Sequence, residues 1–120
     1  YISTENGYIR KIGLDGNITT IAGRPLSQGG IVGDDVHGDL LAMNNPTGMV
    51  IDKDKSFLYV ADTGNHRILR IDLNTRRSVT IAGTGSCDLA GLADNSPALG
   101  ASLCSPTYLG LDSDKNLIVV

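Results

Sequence analysis

A sixty-residue internal repeat governs every other reading of this 120-residue chain, because like units must stack on one another to bury a core. Displaced by sixty positions, Thr20-Ile21-Ala22-Gly23 falls on Thr80-Ile81-Ala82-Gly83, Asp34 on Asp94, and Pro46-Thr47 on Pro106-Thr107. Asp52, Asp54 and Lys55 fall on Asp112, Asp114 and Lys115, and Val60 on Val120. Eleven of the forty-one positions from 20 to 60 are identical without a gap. Chance pairing gives roughly two or three. After small length changes, Tyr1-Ile2 also matches Tyr59-Val60, and Ile9 to Ile12 matches Ile68 to Ile71.

One unit predicts four short strands at about ten-residue spacing: Pro46 to Ile51, Phe57 to Ala61, Arg67 to Leu73 and Ser78 to Ala82. Proline enters the first, where its missing N–H costs least. Clusters of Asp, Asn, Gly and Ser supply the turns. The run Phe57-Leu58-Tyr59-Val60-Ala61 does not alternate apolar with polar, so its sheet is expected to be covered on both faces. Four-stranded antiparallel sheets packed face to face around an axis make an all-β propeller. The expected organisation of residues 1–120 is an arc of such a propeller. One complete blade spans 46–83. Residues 1–22 supply the last three strands of the blade before it, and 107–120 the first two of the blade after it. Two connectors of equal length, 24–45 and 84–105, join the units and are expected to cross one face. The chain opens on Tyr1 rather than methionine and ends on strand-like residues, as a piece of something longer would, and it needs further blades to be covered.

At Tyr59-Val60-Ala61-Asp62-Thr63-Gly64-Asn65-His66-Arg67-Ile68 the unit resembles the NHL repeat. So do the Thr80-to-Gly83 strand end and the Pro46-x-Gly48 entry. Residues 1–12 depart from the pattern with Asn6-Gly7-Tyr8, and Tyr108 replaces Gly48. The resemblance implies a propeller, usually of six blades. The family includes protein-binding and RNA-binding propellers, kinase sensor domains, adhesion ectodomains and a metal-using amidating lyase, so the fold alone does not assign a function.

Asp62, Asn65 and Arg67 read as architecture: the first two bond turn amides, and Arg67 ties neighbouring strands or blades. His66 stands without a second histidine nearby in sequence, which disfavours a metal ligand or base. Asp52/Asp54 and Asp112/Asp114 resemble the start of a calcium loop, but Phe57 occupies the sixth position, where that loop needs glycine. They read as exposed turn residues. Cys87 and Cys104 lie in one connector, while their repeat equivalents are Ser27 and Asn44. Joint presence in one copy and joint absence in the other points to a disulfide, and with it to an extracellular or other oxidising compartment. The sequon Asn17-Ile18-Thr19 sits in an expected turn and is a candidate for glycosylation.

There is no nucleophile elbow, phosphate loop or His-Glu-x-x-His motif, so the reading carries no catalytic residue, no metal and no cofactor. The net charge of −3, the pI of about 5.1 and the 4% aromatic content disfavour nucleic acid. No apolar run is long enough to insert in a membrane. The expected function is a non-catalytic scaffold that binds a protein partner through a propeller face. The alternatives are part of a metal-using propeller enzyme, of the amidating-lyase or hydrolase kind, or of an RNA-binding NHL propeller.

Overall fold

A computed structural model describes residues 1–88 and 94–120. The part of the expected 84–105 connector at positions 89–93 lies outside the described residues. The strands are β1 (Ile2–Ser3), β2 (Ile9–Ile12), β3 (Ile18–Ala22), β4 (Val36–His37), β5 (Pro46–Asp52), β6 (Phe57–Asp62), β7 (Arg67–Asp72), β8 (Arg77–Ala82), β9 (Leu109–Leu111) and β10 (Leu117–Val119). They form three antiparallel sheets, ordered β1-β2-β3, β4-β8-β7-β6-β5 and β10-β9. Among the described residues no helix is long and apolar enough to cross a membrane.

The central sheet is covered on both faces, which explains why Phe57 to Ala61 does not alternate. Leu58, Val60, Leu69 and Ile71 pack with Ile9, Ile21 and Ala22 of the first sheet. Tyr59, Ala61 and Ile68 pack with Leu109, Leu117 and Val119 of the third. Burying each Leu, Ile or Val side chain fully is worth about 1.5–3 kcal/mol, so the two clusters hold the three sheets in a row as one arc of a β-propeller.

The central sheet has a fifth strand that the residue pattern does not announce. β4 comes from the 24–45 connector and pairs Val36 with Ser78 and His37 with Arg77. The outer edge of β8 would otherwise present unpaired backbone groups, and covering such an edge is favourable. Two residues are too few to show a periodicity. The connector therefore lies along the outer rim as well as at the strand ends. Its Val36, Leu41 and Met43 belong to the core between the first and central sheets.

The repeat continues in the backbone where residue identity is lost. Asp35 and Asn95 both take the left-handed conformation, as do Asn45 and Ser105. Gly23 N–H donates to Gly38 O, and Gly83 N–H donates to Ala98 O. The pairs Ile9–Ala22 and Ile68–Ala82 are each followed by the same bulge.

Candidate functional site

The motif residues converge where β6 turns into β7. Asp62 ends β6 and Arg67 opens β7, directly paired across the ladder. His66 between them takes φ 51°, a left-handed conformation uncommon for a residue with a Cβ. The first sheet places Gly7, at φ 84°, before Tyr8 at the corresponding point. This matches the sequence departure at Asn6-Gly7-Tyr8.

The Asp62 carboxylate is fully buried and fully used. Its Oδ1 accepts the Asn44 N–H at 2.8 Å. Its Oδ2 accepts the Asn65 side-chain amide at 2.9 Å and Arg67 Nε at 2.8 Å. The other Arg67 nitrogens reach Gly33 O, Ala42 O and Thr80 Oγ1, each at 3.4 Å. Asp62 and Arg67 thus fasten both limbs of the 24–45 connector to the central sheet. His66 serves the other connector: its Nδ1 accepts the Ser105 N–H at 3.1 Å. Asp62, Arg67 and His66 bond the connectors, whereas Asn65 bonds the Asp62 carboxylate within its own turn, and neither Asp62 nor Asn65 makes the turn-amide bonds expected of them.

A hydroxyl ladder beside them was legible only as a repeated Pro-Thr pair. Ser3 Oγ donates to Thr47 O at 3.0 Å, and Thr47 Oγ1 donates to Thr107 O at 3.0 Å, so the ladder crosses all three sheets. Thr63 Oγ1 donates to Pro106 O at 2.7 Å and lies 2.7 Å from Thr47 Oγ1. Read as a strand entry, the Pro46-Thr47 identity with Pro106-Thr107 signals a contact between units.

Cys87 and Cys104 form a disulfide, with their Cα atoms 4.5 Å apart. The buried Ser102 hydroxyl makes a second stitch in the same neck, accepting from Asp88 N–H at 2.7 Å and donating to Ser86 O at 2.8 Å. Asn17 is exposed in the β2–β3 hairpin turn, its side-chain amide donating to Asp15 Oδ2 at 2.8 Å. That bond and the Asn17 N–H hold the Asp15 carboxyl below its ordinary pKa. The turn lies at the opposite end of the strands from Asp62 and Arg67.

Asp52 is not the exposed turn residue its composition suggests: it is only 2% exposed. Lys115 from the third sheet covers it, Nζ standing 3.7 Å from Asp52 Oδ1 and 3.1 Å from Asp54 Oδ2. Among the described residues, no group of three His, Cys, Asp or Glu side chains is placed to hold a metal ion.

Two depressions adjoin the motif, one of about 550 Å³ lined by Arg67 and Thr80 and one of about 310 Å³ between the first and central sheets. Glu5, Asn6, Asn44 and Asn65 line the second on its polar side, and Pro25, Leu26 and Val32 on its apolar side.

The turn geometry agrees with the comparison to known proteins, in which residues 43–71 match the NHL repeat model. The chain belongs to the NHL repeat family. NHL repeat-containing protein 2 of Gallus gallus is 30% identical over 109 residues, covering 88% of this chain and 14% of its own length. Protein SUPPRESSOR OF QUENCHING 1, chloroplastic, of Arabidopsis thaliana is 36% identical over 82 residues, covering 68% of this chain and 7% of its own. A crystal structure of a protein of unknown function from Bacteroides thetaiotaomicron superposes with a TM-score of 0.72 at 19% identity, over 96% of this chain and 27% of that one. This NHL chain therefore spans a small part of each relative it matches.

Proposed function

We propose that this NHL chain is a non-catalytic interaction module that binds a protein partner through the connector side of the propeller. The observation that carries the reading is a set of aliphatic side chains held out on an anchored connector. Leu26, Ile31 and Val32 are 67%, 47% and 48% exposed. The segment bearing them is fixed by Ile31 N–H to Leu40 O at 2.7 Å and by Ala42 N–H to Ile31 O at 2.8 Å. Apolar groups on a preorganised backbone lose little entropy on binding, and a rim of Glu5, Asn6, Asn44 and Asn65 beside them supplies polar partners. The Cys87–Cys104 disulfide supports an oxidising compartment for this encounter.

Site-specific photocrosslinking in the source organism tests the reading. A crosslinker at position 26 or 32 is expected to capture a discrete protein that the same group at Leu14, in the β2–β3 turn, does not. Equal capture at both ends, or none at 26 and 32, overturns it.

A further inference from the structure

The proposed function leaves the sequon Asn17-Ile18-Thr19 without a use. Folding puts it at the tip of a hairpin. Gly13 N–H donates to Asn17 O at 2.8 Å and Gly16 N–H to Gly13 O at 3.0 Å, closing the turn between β2 and β3. Asn17, Ile18 and Thr19 are all exposed. The Asn17 amide is not consumed by the fold. Its Nδ2 donates to Asp15 Oδ2 at 2.8 Å, and its backbone N–H donates to Asp15 Oδ1 at 3.0 Å. Nδ2 carries two hydrogens, so a substituent on it still leaves one for Asp15.

The same corner is open where a sheet is flanked on both sides. In the sixty-residue repeat Asn17 is equivalent to Arg77, which opens β8 of the central sheet. That sheet is packed on both faces, and β4 covers its edge by pairing His37 with Arg77. Ser78, the next residue, is buried, yet the Arg77 side chain is 54% exposed. A side chain at this corner therefore stays in solvent in a fully flanked blade. A second, independent observation concerns the compartment. The Cys87–Cys104 disulfide belongs to the oxidising, secretory setting in which Asn-x-Ser/Thr sites receive sugars.

We propose that Asn17 is N-glycosylated, which rests on the compartment reading that the disulfide supports. The sugar donor is an oligosaccharide activated as a lipid-linked diphosphate. Asn17 Nδ2 forms the bond to the anomeric carbon as the bond from that carbon to the diphosphate oxygen breaks. The diphosphate leaves with that electron pair, and the displaced amide proton passes to a base of the transferase. Nothing is oxidised or reduced. The bulky, solubilising glycan then stands at the hairpin end of the strands, with Asp15 holding its stem. The connector side, at the other end, is left open to a partner.

Mass spectrometry with sugars intact tests this, on protein purified from its source organism and digested without reductant. Asn17 is expected to carry a glycan rooted in N-acetylhexosamine that peptide N-glycanase removes. Asn45-Pro46-Thr47 has an exposed asparagine and the same third residue, but its proline blocks transfer, so Asn45 is expected to be bare. Thr19→Val, at an exposed position paired with Lys11, is expected to abolish the modification, and Thr19→Ser to keep it. In the Thr19→Val protein a crosslinker at Leu14 is free of the glycan, so the connector-side reading is tested separately. Asn17 unmodified beside an intact Cys87–Cys104 disulfide overturns the proposal and leaves the compartment reading standing. Asn17 unmodified with both thiols free overturns both. A sugar that persists in Thr19→Val, or one on Asn45, also overturns the proposal, since the sequon would not be directing the transfer.

Discussion

The connectors 24–45 and 84–105 start from the same instructions and are fastened by different means. Both leave the outer strand through a glycine with positive φ, Gly23 and Gly83. Both contain a short 3₁₀ turn at matching positions, Gly38–Leu40 and Ala98–Gly100. Both return through a left-handed residue, Asn45 and Ser105. The first is then held from outside: Asp62 and Arg67 grip Asn44, Ala42 and Gly33, Ser78 Oγ donates to Val36 O at 2.9 Å, and β4 lies on β8. Among the described residues, the second carries fastenings of its own in Cys87–Cys104 and Ser102, with His66 receiving its exit. The same backbone path thus carries a tertiary clamp in the first connector and a covalent stitch in the second.

The clamp should break hardest. Asp62→Ala leaves the Arg67 guanidinium, 7% exposed, without its carboxylate. Removing one member of a buried pair costs about 3–5 kcal/mol, to be read from urea unfolding. Hydrogen exchange should rise across 33–44 and stay unchanged across 94–105. Equal loosening of both connectors would mean that they are not independently fastened.

The disulfide comes next. Cys87→Ser with Cys104→Ser is expected to cost about 3 kcal/mol for a loop of this length, with exchange rising in 94–105 and not in β5–β8. Ser102→Ala should cost about 1 kcal/mol in the oxidised protein, and more once the disulfide is reduced, because the two stitches close one neck. Strict additivity in the double-mutant cycle would show that they act on separate paths.

The smallest expected effect is the pH dependence of the Lys115 contact, which serves as a control remote from both connectors. Its pKa is raised in the folded chain, so its contribution is complete below the unfolded lysine pKa and is lost as pH rises through the folded value. Asp112 behaves oppositely. Asn116 holds its pKa down, so its contribution is present above the ordinary aspartate pKa and is lost as pH falls through the lowered one. Lys115→Met should remove only the alkaline change in the unfolding midpoint and leave exchange in both connectors untouched.

The strands and their order were legible because each carries its own evidence: β-branched runs, turn residues and a repeat that aligns them. The expected Arg67-to-Leu73 strand ends one residue early at Asp72, and Ser78 to Ala82 gains Arg77. The fifth strand was not legible, since Val36-His37 pairs only because β8 offers an edge. The Asp62–Arg67 pairing lay within one motif, and its architectural reading needed only the repeat. Its partners did not show, for Gly33, Ala42 and Asn44 accept or donate through backbone atoms that any residue possesses.

The amino-acid sequence alone determined the unit, its length, its strand order and the pairing of the two cysteines, because these rest on local propensity and on comparing one copy with the other. The tertiary structure decided which carboxylates are covered and by what. Asp52 reads in the sequence as an exposed turn carboxylate, yet it lies beneath Lys115 of the neighbouring sheet. Burial and charge pairing depend on what is packed alongside, and a repeat, being the same on every copy, cannot state which neighbour each copy has.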